Sequence, residues 1–372
     1  MRKIYYFLIG IAAIAVVLVF LLFTIRTGFF YNNKLSTNVF GRTDQKIVLP
    51  SSLAEQLGQN FILGFEGTSL DENTKNILTK IKPAGIVLYY RNYKNPRQLK
   101  DLISQLQVIA KTTTNRPYFI MIDEEPGGAM RLDLFDDVFA FGTPDWAHIE
   151  MGIKALQTTG INVDLAPVAD FPFDGNSFIK SRVAARDPAL LTDFNQKFIA
   201  MLKQHHVSAT LKHFPGMGVF VDDPHKKLPY ANPDASIIEQ SLAIFKSGID
   251  GGADFVMTGH GVYDDIDPKN PATLSKKIVT DMLRKQLGFS GLIITDDLSD
   301  MPFIIGKNIN LTEAAANSLE AGHNLVLFSH RPEETEIIFD KLLSTVEKDK
   351  VLQSIISQNY IKVVSLKNST LN

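Results

Sequence analysis

The chain has 372 residues, with 38 Lys plus Arg against 40 Asp plus Glu, a formal net charge of −2. That balance excludes the basic excess of a nucleic-acid binder, and 45% hydrophobic against 21% charged residues excludes intrinsic disorder. There is no cysteine, which excludes disulfides, thiolate metal sites, a cysteine nucleophile and a lipidated N-terminal cysteine.

The first element stands apart from the rest. Ile4 to Ile25 is a run of 22 residues without a charge, preceded by Arg2 and Lys3 and followed by Arg26. As a helix it would be about 33 Å long, enough to cross a hydrocarbon core of about 30 Å. A cleaved signal peptide has a shorter apolar core and a small-residue cleavage site after it. Here the Ala13-Ile14-Ala15 pattern falls inside the run. The run is therefore read as a retained single-pass anchor over residues 1–27, with a cleaved signal as the alternative. Residues 28–50 form a polar tether, and residues 51–372 form the folded part. The N-terminal stub is short, so the large C-terminal part is expected on the extracytoplasmic side of the cell membrane. A monomer is expected.

From Leu53 onward, short apolar runs alternate with helix-like segments. The strand candidates are residues 61–65, 85–88, 118–122, 162–165, 208–211, 254–258, 292–295 and 324–328. Continuous apolar runs of this length suit strands buried on both faces of a parallel sheet. Between them, Leu99, Leu102, Ile103, Leu106 and Ile109 trace one helix face just after Asn95-Pro96, a helix-start signal. Similar 3.6-residue patterns run from Trp146 to Leu156, Leu190 to Leu202, Ile237 to Ile249 and Ile278 to Leu287. Gly160, Gly248, Gly288 and Gly322 are expected as helix stops. Eight strand–helix units in roughly 300 residues predict an α/β fold of the (β/α)8 TIM-barrel type. A doubly wound sheet is the competitor, but no Gly-x-Gly-x-x-Gly or P-loop pattern supports its nucleotide-binding form.

In such a barrel, chemistry sits at the C-terminal strand ends. Past strand three come Asp123, Glu124 and Glu125; past strand four, Pro167, Asp170 and later Arg182; past strand five, Lys212 and His213. His260 follows strand six, Asp296 and Asp297 follow strand seven, and His330 and Arg331 follow strand eight. Any one of these suits a helix cap. Together they describe a polar pocket for a hydroxyl-rich ligand.

Three segments carry a family likeness. Lys212-His213-Phe214-Pro215-Gly216 is followed, nine residues after the glycine, by His225 in Asp223-Pro224-His225. Met257-Thr258-Gly259-His260 leads to Tyr263, Asp267 and residues 271–275, and residues 287–298 end in Thr295-Asp296-Asp297-Leu298. The chain resembles the bacterial β-N-acetylhexosaminidases of glycoside hydrolase family 3, which remove N-acetylglucosamine from peptidoglycan fragments. Residues 123–132 look like a degraded form of that family's DQEGGRVxRL motif. The resemblance implies a retaining exo-β-N-acetylglucosaminidase acting on muropeptides. No His-Glu-x-x-His or similar spacing appears, so no metal is expected, and no cofactor is expected either. By position the resemblance implies Asp296 as nucleophile, His225 as acid/base and Asp223 as the group orienting it. It implies Asp123, Arg131, Arg182, Lys212 and His213 as sugar-binding residues.

These residue types suit the chemistry. A retaining glycosidase needs a carboxylate on one face of the anomeric carbon and a proton donor at the leaving oxygen. A histidine with an unperturbed pKa of about 6.5 can donate without heavy tuning, and Asp223 would set its tautomer as in a triad. Lys212, Arg131 and Arg182 would give charge-assisted bonds to the sugar. Blander roles compete: Asp296 as a helix cap, His225 as a surface histidine, His213 and His260 as core histidines. Asp170 and Asp297 are read as structural. Gly216-Met217-Gly218 is expected to be a flexible start to the acid/base loop. Departures from the family pattern fall at Met217, Pro126, Gly128, Pro224 and Asp300. Two other functions stay open: a phosphorylase, because a neutral histidine does not repel phosphate, and a non-catalytic amino-sugar-binding surface protein.

Overall fold

The computed structural model describes residues 52–139, 142–173, 175, 177–224, 226–299 and 310–371. The expected anchor over 1–27, the tether and both His225 and Asp300 lie outside the described residues. Among the described residues no helix is long and apolar enough to cross a membrane.

Eight strands close into a barrel: β1 (Phe61–Leu63), β2 (Gly85–Leu88), β3 (Phe119–Ile122), β4 (Val163–Asp164), β5 (Ser208–Phe214), β6 (Phe255–Thr258), β7 (Leu292–Asp297) and β8 (Leu325–Phe328). Each pairs in parallel with its sequence neighbour, and Phe61 of β1 opposite Val326 of β8 closes the ring. The sequential order excludes the doubly wound alternative. β5 and β7 run two or three residues past their predicted ends, to Phe214 and Asp297, so they carry site residues inside the ladder.

A helix α1 (Leu53–Gly58) precedes β1. The helices that follow the strands are α2 (Glu72–Ile81), α3 (Pro96–Thr114), α4 (Trp146–Thr159), α5 (Pro188–Gln204), α6 (Ala235–Asp250), α7 (Lys277–Gln286), α8 (Leu311–Ala321) and α9 (Pro332–Val346). The start signal of α3 works as its chemistry requires: Asn95 caps it by accepting from the Gln98 N–H at 2.9 Å, and Leu99, Leu102, Ile103 and Leu106 are buried. Gly160 (φ +96°) and Gly322 (φ +121°) end α4 and α8 as expected.

Gly248 does not end a helix; it lies inside α6. A Cβ there would stand 2.7 Å from both methyl carbons of Leu211, so the glycine lets α6 lie close on β5. The predicted 3.6-residue helix from Ile278 is instead wound more loosely in α7, with π-type bonding.

Side chains alternate along each strand. One set faces the helices. The other fills the barrel: Ile62, Val87, Phe119, Met121, Val163, Leu165, Phe255, Met257, Leu292, Ile294, Leu325 and Leu327. The last helix, α10 (Lys350–Thr370), adds Val363 and Leu366 to that interior and so covers the end where the strands begin. The opposite end is left for the site.

Candidate active site

Continuing the inward alternation by one step beyond four of the apolar strands, β2, β3, β7 and β8, reaches a polar residue. Gly85 and Val87 lead to Tyr89, Phe119 and Met121 to Asp123, Leu292 and Ile294 to Asp296, and Leu325 and Leu327 to Ser329. On β5 the inward series Ser208, Thr210 ends at Lys212. All five of these terminal residues line one cavity of about 400 Å³, together with Arg131, Arg182, His213 and His330. That volume is in the usual range for small-molecule sites, about 300–1,000 Å³.

The cavity is organised by ion pairs. Lys212 Nζ lies 2.6 Å from Asp123 Oδ1 and 2.6 Å from Glu125 Oε1. Arg131 Nη2 reaches Asp123 Oδ2 at 3.2 Å. Arg182 grips Glu125 with both arms, Nη2 to Oε1 at 2.6 Å and Nε to Oε2 at 3.0 Å. Burial alone would raise the Asp123 and Glu125 pKa values, but Lys212 with Arg131 or Arg182 outweighs it and holds both carboxyls below their usual range. Burial alone would lower Lys212, and the two carboxylates instead hold it above the usual lysine value. These ion pairs therefore present fixed charges at the cavity wall.

His213 Nδ1 donates to Asp170 Oδ2 at 2.7 Å, because a carboxylate only accepts. This leaves Nε2 as the nitrogen available to a ligand. Asp170 also accepts from the Met217 N–H at 2.6 Å and from the His213 N–H. The Gly216–Gly218 segment is therefore not the flexible start expected of it: Met217 is buried and tied to Asp170, and Gly218 packs against the Phe171 carbonyl.

Asp296 and Asp297 differ in setting. Asp296 lines the cavity and its Oδ1 accepts from the Asp297 N–H at 2.8 Å. The Asp297 carboxylate is also in the cavity wall but accepts from the Ser299 N–H and hydroxyl and from the Ser329 N–H and hydroxyl. Burial raises its pKa against those bonds. His260 is buried and does not line the cavity; its Nε2 meets the Asp297 carbonyl at 3.1 Å and its Nδ1 the Thr273 hydroxyl at 2.8 Å.

Six of the expected residues thus converge: Asp123, Arg131, Arg182, Lys212, His213 and Asp296. Asp223 does not line the cavity; its carboxylate stands 3.7 Å from Lys226 Nζ. Glu125, Tyr89 and Ser329 are the residues that reading the motifs left out. The inward alternation past β2 and β8 is the signal that finds Tyr89 and Ser329. Nothing in the local pattern singles out Glu125 from its neighbour Glu124, which turns away from the cavity and accepts from the N–H groups of Arg131, Leu132 and Leu134. Among the described residues no group of acidic and histidine side chains could hold a metal ion.

An eight-stranded parallel barrel with this carboxylate- and cation-lined cavity at its C-terminal strand ends is an enzyme scaffold. The chain belongs to glycoside hydrolase family 3: the family model described as "Glycosyl hydrolase family 3 N terminal domain" matches residues 52–366. A β-hexosaminidase of Xanthomonas campestris is 30% identical over 289 residues, which are 72% of this chain and 84% of that one. One of Nitrosomonas eutropha is 30% identical over 303 residues, 77% of this chain and 84% of its own. Among solved structures, the family 3 β-N-acetylglucosaminidase of a Paenibacillus species superposes with a TM-score of 0.76 at 28% identity, covering 86% of this chain and 63% of that one. The β-N-acetylhexosaminidase of Beutenbergia cavernae gives 0.76 at 26% identity, covering 85% and 98%.

Proposed function

We propose that the protein is a retaining exo-β-N-acetylglucosaminidase that removes terminal N-acetylglucosamine from peptidoglycan-derived muropeptides. Asp296 attacks the anomeric carbon and forms a glycosyl ester as the aglycone leaves. His225 gives the leaving oxygen its proton, then takes a proton from the water that opens the ester, and Asp223 orients its ring. Asp123, Arg131, Arg182, Lys212 and His213 hold the sugar hydroxyls. Residues 1–27 tether the enzyme to the cell membrane, with residues 51–372 as the catalytic domain on the extracytoplasmic side.

The observation that carries the reading is the position of Asp296. It ends the inward series of β7, in the same cavity as five sugar-binding candidates drawn from β5 and from the segments after β3 and β4. The hexosaminidase names of the relatives support the choice of amino sugar.

The test uses the full-length protein in mild detergent with an aryl N-acetyl-β-glucosaminide. Hydrolysis is expected, with the β-anomer released first. Asp296→Asn should lose about a thousandfold or more in kcat. His225→Ala should lose less on a good aryl leaving group than on a sugar aglycone, which needs the proton. Quenched turnover should leave one N-acetylhexosamine mass on the peptide containing Asp296. Undiminished hydrolysis by Asp296→Asn would refute the mechanism, and a sugar 1-phosphate formed only with added phosphate would make the enzyme a phosphorylase.

A further inference from the structure

We propose that Glu125 is a positioning residue for sugar recognition: from behind the cavity wall it fixes Lys212 and Arg182, in a space that Gly128 keeps open. The proposal rests on the reading of Lys212 and Arg182 as sugar-binding groups.

Glu125 does not line the cavity, and it is 1% exposed. Its four contacts account for the whole carboxylate. Oε1 receives Lys212 Nζ and Arg182 Nη2, each at 2.6 Å, while Oε2 receives Arg182 Nε at 3.0 Å and the Ala129 N–H at 2.7 Å. Both cations it holds do line the cavity. A lysine ammonium has three protons. Asp123 and Glu125 take two of those on Lys212, which leaves one in a fixed direction for a ligand hydroxyl. Arg182 has five N–H donors in a rigid fork, and the bond through Nε and Nη2 fixes the plane in which the others lie.

The charged groups facing this pair are Asp123, Asp164 and Asp170 besides Glu125 itself, with Arg131 sharing Asp123. With Glu125 neutral, Asp123 would be the one carboxylate in contact with Lys212, and it is shared with Arg131. Arg182 would lose its bidentate partner.

Gly128 belongs to the same device. A Cβ at this position would stand 2.1 Å from Glu125 Oε2 and 2.9 Å from its Cβ. The backbone of Gly128 is not in the left-handed region, so an added methyl acts through this collision and not through φ strain. The family pattern has an arginine here, and in this chain the glycine leaves that volume to the Glu125 carboxylate.

The experiment compares Glu125→Gln, Gly128→Ala and Arg182→Ala with wild type in the full-length protein. KM and kcat on the aryl N-acetyl-β-glucosaminide are measured across pH, with binding of N-acetylglucosamine by calorimetry and a thermal melt for folding. Glu125→Gln should raise KM about 10- to 100-fold with a smaller change in kcat, because the lost interactions serve bound substrate and transition state alike. It should also move the alkaline limb of N-acetylglucosamine binding to lower pH, since Lys212 loses one of the two carboxylates that hold its proton. Gly128→Ala should shift KM in the same direction by displacing the carboxylate without removing its charge. If both variants fold and match wild type in KM, alkaline limb and sugar affinity while Arg182→Ala is impaired, Glu125 has no positioning role and the sugar-binding reading stands. If wild type neither turns over nor binds N-acetylglucosamine, the functional reading fails and the proposal fails with it.

Discussion

Lys212 Nζ lies 2.6 Å from Asp123 Oδ1, tying the ends of β5 and β3 across β4 between residues 89 apart in sequence. Both are buried, and burial alone would discharge each of them. Together they stay charged, and the stability they contribute is conditional on both partners.

Lys212→Met should therefore destabilise the fold by about 3–5 kcal/mol at neutral pH, because it leaves Asp123 and Glu125 buried without their shared cation. The pH dependence follows from the directions of the shifts. The folded pKa of Asp123 lies below its unfolded value of about 4, so its contribution is present above that pH and is lost as pH falls through the lowered value. Lys212 is raised, so its contribution is present below about pH 10 and is lost only as pH rises through the raised value. Urea melts at pH 7 and pH 3.5 should show the mutational loss shrinking in acid. Equal midpoints for variant and wild type at pH 7 would rule out a stabilising pair.

Asp164 is the opposite case. It is fully buried on β4, its Oδ1 accepts from the Glu124 N–H at 3.1 Å, and its Oδ2 has no hydrogen-bond partner. Burial first, and the Glu124 charge second, raise its pKa well above the usual value. The native state then holds a proton that the unfolded chain has released, so stability falls as pH rises from about 4 toward the raised folded value. Asp164→Asn keeps the acceptor for Glu124 and removes the titration. It should melt no lower than wild type at pH 8, with a flatter stability profile between pH 5 and pH 8. A markedly lower melting temperature for the variant at pH 8 would mean that the buried carboxyl is ionised and paired.

His323 titrates the other way. It is buried, its Nε2 meets the Thr258 hydroxyl at 2.8 Å and its Nδ1 the Ser318 carbonyl at 2.9 Å, so Nδ1 carries the hydrogen. Burial drives its pKa down to about 3. Below about pH 6.5 the unfolded chain gains a proton that the native state refuses, so its contribution is complete above that pH and is lost as pH falls toward 3. The slope of unfolding free energy between pH 6 and pH 4.5 should include up to about 1.4 kcal/mol per pH unit from this one group. His323→Gln should remove that part of the slope whatever it does to absolute stability. An unchanged slope would show that His323 is protonated in the native state.

Barrel topology was legible because β-strand burial on both faces leaves unbroken apolar runs, and all eight predicted strands occur with small shifts at their ends. The shifts matter at β5 and β7, where polar residues such as Lys212 and Asp296 continue the ladder although their polarity reads as loop. Six cavity residues were legible from motif positions; Tyr89 and Ser329 belong to no motif and follow from the inward alternation of β2 and β8. What stayed hidden is pairing between loops. That Glu125 rather than Glu124 holds Lys212 and Arg182 depends on where the loops after β3 and β4 fold back, and that Gly248 spaces a helix rather than ending it depends on Leu211 across the contact.

Gly218 tests the anchored segment after β5. A Cβ there would stand 1.6 Å from the Phe171 carbonyl oxygen, a backbone atom that cannot swing aside as a side-chain end can. The neighbouring Met217 N–H donates to Asp170, and Asp170 in turn holds His213 Nδ1, so a backbone shift at Gly218 reaches the cavity through two hydrogen bonds. Gly218→Ala should cost about 1–3 kcal/mol of stability, the usual cost of overpacking. It should also lower kcat/KM on the N-acetylglucosaminide. Gly175→Ala is the matched control, since nothing lies within 4 Å of an added Cβ and its φ is not in the left-handed region. That variant should stay within about 0.5 kcal/mol of wild type. Thermal melts and kinetics on the two variants side by side decide the matter: if Gly218→Ala behaves as Gly175→Ala does, the loops after β4 and β5 do not depend on each other for their positions.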